Sequence, residues 1–180
     1  VMEHTLLYLS NHVFESKAAP RFLIALSQAS LEKPDLADWL EKKIKQYEIS
    51  GKHFNFALRF ADVEADLKTV ERQIFGLRKL GARITLTDFG EDPGAFNYLR
   101  RILVDFLRVP MGWMDKGGID LAEVVRKGHE RHRSIIVPGV EAPRHMDLAW
   151  ASGADFAQGY FIQRPQSSPN FDFSGLVLGG

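Results

Sequence analysis

Cysteine is absent from the 180 residues, which excludes a disulfide framework and thiolate metal sites and fits a cytoplasmic protein. An excess of either charge is also missing. Lys plus Arg number 23, as do Asp plus Glu, so there is no overall basic field to hold a long nucleic acid. No run approaches the roughly 20 apolar residues of a membrane span, and the opening Val1-Met2-Glu3-His4 lacks the basic start of a signal peptide. Gly-rich phosphate loops, nucleophile elbows, internal repeats and low-complexity linkers are absent as well. What is present is a chain 45% hydrophobic, enough for one domain with a real core. The expectation is a soluble, cytoplasmic domain over residues 1–180, with neither a membrane nor a long nucleic acid as partner.

Strand-like and helix-like runs alternate. Strands are expected at 21–27, 54–61, 84–88, 103–109, 134–138 and 156–161, and helices at 35–47, 67–80, 119–132 and 144–151. Residues 1–12 look like the tail of a preceding helix, and 167–180 like a peripheral tail. Gly81 suits the carboxyl end of the second helix. Such alternation demands crossovers and a mainly parallel sheet, either doubly wound or a (β/α) barrel. A complete (β/α)8 barrel takes about 250 residues, so a barrel reading places its first strands before Val1.

Residues 82–90, Ala-Arg-Ile-Thr-Leu-Thr-Asp-Phe-Gly, end a β-branched run on a carboxylate and a glycine. In parallel α/β sheets, ligands bind at the carboxyl ends of strands, so Asp88 falls where recognition or chemistry occurs. Five further strand ends follow the same logic: 22–27 (Phe-Leu-Ile-Ala-Leu-Ser), 58–62 (Leu-Arg-Phe-Ala-Asp), 104–108 (Val-Asp-Phe-Leu-Arg), 137–141 (Val-Pro-Gly-Val-Glu) and 157–160 (Ala-Gln-Gly-Tyr). In this order, over about residues 20–166, they resemble the EAL domain of cyclic di-GMP phosphodiesterases. That resemblance implies an α/β fold, an EAL-type (β/α)8 TIM-like barrel, and, in active members, two divalent cations that activate water against one phosphodiester bond.

Measured against that family, the hydrolytic set is broken. The resemblance puts Ala25 where a ligand Asn belongs, Arg59 where a metal-binding Glu belongs with Asp62 at the second acidic position, and Thr87 in place of a metal-bridging Asp. It also puts Arg108 where a Lys assists water activation and Pro138 where a Glu stands. Hard divalent cations need several converging oxygen ligands, and Arg108 remains cationic and cannot act as a base. An unpaired guanidinium about 4 Å from a dication would cost about 8 kcal/mol at an effective dielectric of 20.

Recognition residues survive better, namely Asp88, Glu141, Gln158, Gly159, Tyr160, Arg164 and Pro165. A carboxylate can accept the N1–H and N2–H2 of a guanine, and an amide such as Gln158 can meet a base edge or a phosphate. Arg59 and Arg108 could take over phosphate charge once held by metals. Within the family, 134–141, 158–163 and 170–174 are most similar to the degenerate EAL domains of FimX-type regulators of type IV pili. The resemblance therefore implies a catalytically inactive cyclic di-GMP receptor, needing no metal or other cofactor, that signals to a protein partner of the PilZ type. A scaffold that has lost the nucleotide and a weak residual phosphodiesterase are the alternatives.

Blander roles compete for the same residues. Asp88 could cap the next turn, Glu141 could serve a helix dipole, Gln158-Gly159 could close a tight bend, and Arg59 could pair with Asp88. His129 and His132, among four basic neighbours, are expected on a solvated face rather than on a metal. Lys42, Lys43 and Lys45 are likewise expected in solvent. Trp39, Trp113 and Trp150 are expected to pack or to lie at an interface, with Trp113 in the loop 111–118 a possible partner contact.

Overall fold

The computed structural model describes residues 2–11, 21–113 and 120–165. The tail 167–180, with its 170–174 run, residues 114–118 of the loop expected at 111–118, and residue 119 lie outside the described residues. The element order is α1 (Met2–Asn11), β1 (Phe22–Ala25), α2 (Gln28–Leu31), α3 (Leu36–Gln46), β2 (Phe54–Arg59), α4 (Phe60–Ala65), α5 (Leu67–Lys79), β3 (Arg83–Thr87), a 3-10 segment (Pro93–Arg100), β4 (Phe106–Arg108), α6 (Leu121–His129), β5 (Ser134–Pro138), α7 (Pro143–Ala151) and β6 (Phe156–Gln158).

All six strands are parallel and lie side by side in chain order, β1 to β6. A doubly wound sheet reverses its strand order at a switch point. None occurs among these strands, so the arrangement is that of a barrel wall. Each strand expected from sequence is present; β5 has the expected bounds, and the other five end one to three residues earlier than expected.

Local chemistry starts and stops the long helices. Asp66 accepts the Thr69 N–H at 3.1 Å ahead of α5, and Asp120 accepts the Ala122 and Glu123 N–H groups at 3.0 and 3.3 Å ahead of α6. These carboxylates satisfy donors that have no intrahelical partner. Gly81, at φ +90°, takes the left-handed turn that ends α5. Val70, Ile74 and Leu77 form the buried stripe of α5, and Val124 and Val125 lie in that of α6. The stripes pack on β3 and β5, whose Ile84, Leu86, Ile135 and Val137 are fully buried.

Alternation sends the other parity of each strand to the opposite face. There Asn55 and Thr85 share a buried hydrogen bond of 2.9 Å. Phe106 meets Phe156 edge-on at 5.9 Å. Arg108 and Gln158 lie two residues beyond these rings on the same face.

The opposite ends of the strands are tied by a device used twice. The Asp105 carboxylate, just ahead of β4, accepts the Ile84 N–H at 2.9 Å and pairs with Arg78 of α5. The Asp155 carboxylate, just ahead of β6, accepts the Ile135 N–H at 2.6 Å and meets the His129 ring at 2.9 Å. His129 thus joins a structural pair while remaining on the solvated face expected of it. Replacing Asp105 with Ala leaves a strand N–H and a half-buried guanidinium without their acceptor. The expected loss is about 1.5–3 kcal/mol, read as a lower urea midpoint at unchanged slope.

Candidate functional site

The carboxyl ends of six parallel strands open on one side of the sheet, and they bring Ala25, Arg59, Asp88, Arg108, Pro138, Glu141 and Gln158 to that side. Strand polarity does this before any side-chain contact contributes.

Strand β2 stops at Arg59, two residues short of the end expected from sequence. Phe60 turns its ring edge-on to Phe89 at 5.6 Å and to Tyr98 at 5.3 Å, and α4 begins there. Asp62 therefore stands in a first helical turn, three residues after Arg59. Its carboxylate takes Arg59 Nε at 3.1 Å and Nη2 at 2.7 Å. This fork corrects the pairing considered from sequence, in which Arg59 would meet Asp88. The hydrogen bonds to Asp62, and then its charge, hold the Arg59 proton more firmly than usual, with Asp88 adding a smaller contribution. Asp62 is 6% exposed and Arg59 57%, so the guanidinium remains open to solvent.

Asp88 follows β3 in the left-handed region, at φ +55°, which Asp tolerates better than most residues. Fully buried Phe89, edge-on to Phe96 at 5.0 Å, anchors the turn, and the Phe89 N–H donates to the Arg108 carbonyl at 3.2 Å. Asp88 is left exposed, touched by Thr87 Oγ1 at 3.5 Å. The cap considered for it belongs to Asp92, which accepts the Gly94 N–H at 2.8 Å ahead of the 3-10 segment.

Arg108 is half-buried, and its Nε is enclosed without a hydrogen-bond partner. Burial makes its proton easier to lose than in water, while the Asp88 charge opposes that shift. Arg108 still stays cationic at neutral pH. Its Nη2 donates to Gln158 Oε1 at 3.0 Å, which directs the amide N–H2 of Gln158 away from Arg108.

Gly159 answers a close approach between backbones. A Cβ there would overlap the Val140 carbonyl and amide, and the Val140 N–H donates to the Gln158 carbonyl at 3.0 Å. Glu141 is one residue further on and exposed, and among the described residues no hydrogen bond or ion pair occupies its carboxylate. Its backbone N–H donates to His145 Nδ1 at 3.2 Å.

Sequence reasoning passed over His145. The available signal was its place at the third position of a helix that begins with Pro143, where a side chain can turn back on an unpaired N–H.

A cavity of about 340 Å³ beside β1, lined by Ile24, Ala25, Leu26 and Trp39 among others, touches this residue set only through Ala25. Among the described residues no group of three or more His, Cys, Asp or Glu converges as a metal cage would, and no helix is long and apolar enough to cross a membrane.

The family model for the EAL domain matches residues 1–165. A crystal structure of a FimX EAL domain superposes with a TM-score of 0.86 at 26% identity, covering 94% of this chain and 70% of that one. The FimX EAL domain from Pseudomonas aeruginosa bound to c-di-GMP gives 0.86 at 25%, covering 96% and 71%. The probable cyclic di-GMP phosphodiesterase PdeA of Escherichia coli (strain K12) is 26% identical over 177 residues, 92% of this chain and 24% of its own. The chain spans roughly a fifth to a quarter of the first curated relatives it matches.

Gly159→Ala tests the close approach. Overpacking against backbone is expected to cost about 1–3 kcal/mol in urea denaturation, whereas Gly112→Ala, with open space around it, should cost under about 1 kcal/mol.

Proposed function

The chain belongs to the EAL domain family, and we propose that it acts as a cyclic di-GMP receptor without phosphodiesterase activity. The observation that carries this reading is Arg108: a half-buried guanidinium that, among the described residues, meets the neutral Gln158 amide and no carboxylate. A buried cation left this way gains from an anionic oxygen brought to it. Asp88 and Glu141, both exposed, offer acceptor pairs to guanine edges, and Gln158 offers its amide hydrogens. Arg59 spends two of its five N–H groups on Asp62, leaving three for a phosphate.

Arg59 and Arg108 share these strand ends with three carboxylates, Asp62, Asp88 and Glu141, so the strand-end side chains themselves carry no excess of positive charge. Recognition depends on directed hydrogen bonds.

A pair of divalent cations does not fit these side chains. Ala25 and Pro138 carry no side-chain oxygen, Thr87 offers a neutral hydroxyl rather than a carboxylate and donates its proton to the Leu58 carbonyl at 3.3 Å, and the Asp62 carboxylate is held by Arg59. Because Asp62 neutralises Arg59, cations are disfavoured by the want of free ligands, and the repulsion considered from sequence is reduced. Of these side chains, Asp88 and Glu141 remain as carboxylates without an ion pair among the described residues, too few for two shared ions.

The likeness to a FimX EAL domain bound to c-di-GMP supports the same ligand. Through the FimX-type resemblance, the proposal extends to a PilZ-type protein partner and control of type IV pili.

Calorimetric titration with cyclic di-GMP in EDTA tests the reading, with a parallel assay for linear product in Mg2+ or Mn2+. Saturable one-to-one binding without product is expected. Arg108→Ala and Glu141→Ala should each weaken it about 10- to 100-fold, the equivalent of one or two charge-assisted hydrogen bonds. Metal-dependent product would sink the receptor reading in favour of a phosphodiesterase. Absence of binding by the intact protein would leave an interaction scaffold.

A further inference from the structure

We propose that His145 is the positioning residue for Glu141, holding the main chain that carries this carboxylate to the ligand; the ligand part of the inference rests on the receptor reading above. The need for such a residue begins at the start of α7. Ala142 precedes the helix in an extended conformation, φ −146° and ψ 159°, and has no side-chain acceptor to cap it. Helix starts leave N–H groups without intrahelical partners.

His145, 7% exposed, supplies the missing acceptor. Its Nδ1 lies 3.2 Å from the Glu141 N–H, one residue ahead of the usual capping position.

Two donors reach this ring. Arg144 Nε approaches His145 Nε2 at 3.2 Å, yet a neutral imidazole has one acceptor nitrogen and one N–H. Arg144 is exposed, so solvent can satisfy its guanidinium in place of the ring, whereas the Glu141 N–H lies in a part-buried hydrogen bond. The lone pair therefore belongs at Nδ1, and the proton at Nε2.

That tautomer completes a two-point anchor. The Val140 N–H is bound to the Gln158 carbonyl at 3.0 Å, and the Phe161 N–H to the Val140 carbonyl at 3.1 Å. The neighbouring Glu141 N–H is bound to His145. Glu141 and Gln158 are thereby placed relative to each other, each through backbone that the other strand end holds.

The test uses the intact protein and two kinds of readout. Long-range 15N–1H correlation spectra of the unmutated protein at neutral pH report the His145 tautomer; Nε2–H is expected, and Nδ1–H or the doubly protonated ring would overturn the assignment without any variant. His145→Leu should speed hydrogen exchange of the Glu141 amide at least tenfold and weaken cyclic di-GMP binding about tenfold. His145→Gln, whose side-chain oxygen accepts without titrating, should return both to within about threefold of the parent.

A His145→Leu protein that exchanges and binds like the parent refutes the positioning role, as does a folded His145→Gln protein that behaves like His145→Leu. Should the parent bind no cyclic di-GMP, the receptor reading fails, while tautomer and amide exchange still decide whether His145 holds Glu141.

Discussion

Six parallel strands in chain order impose one constraint from which the other features follow: every strand must end on the same side of the sheet. Parallel pairing requires a return crossover after each strand, so chemistry at successive strand ends accumulates in one place while helices cover one face of the sheet. Ala25, Arg59, Asp88, Arg108, Glu141 and Gln158 are spread over more than a hundred residues, and ladder polarity alone gathers them. Bulky Ile, Leu and Val at the helix-facing parity secure the register, because a one-residue slip would turn them to the other face.

The two ends of this sheet are organised by different means. Away from the site, Asp105 and Asp155 each bind a strand N–H and a basic side chain from the preceding helix, a structural repeat with no counterpart in sequence repetition. At the site end the charged groups are less completely matched: Arg108 keeps an enclosed donor without a partner, and the Glu141 carboxylate has none among the described residues. Unmatched polar groups cost stability, and such a cost is tolerated where a ligand can repay it.

Much of this was legible beforehand, and specific residues explain where legibility ended. Strand and helix positions followed from hydrophobic period and from Gly81, whereas the caps at Asp66 and Asp120 emerged only from the folded structure. Strand β2 was read too long because Phe60 and Ala61 suit a strand as well as a helix; the aromatic cluster with Phe89 and Tyr98 decided between them. That two-residue difference moved Asp62 into a helical turn and gave Arg59 its partner. His145 was overlooked because a histidine following an arginine says little until the backbone brings Nδ1 to Glu141.

Apolar period, turn residues and side-chain chemistry are local properties of the chain, and from them the parallel α/β class and the identity of the groups at each strand end could be read directly. Folding in three dimensions settled which partner each group meets: Arg59 the Asp62 carboxylate, Arg108 the Gln158 amide oxygen, and the Glu141 backbone N–H the His145 ring. Hydrogen bonds act over about 3 Å, and spacing along the chain cannot determine which atoms the folded backbone brings within that distance.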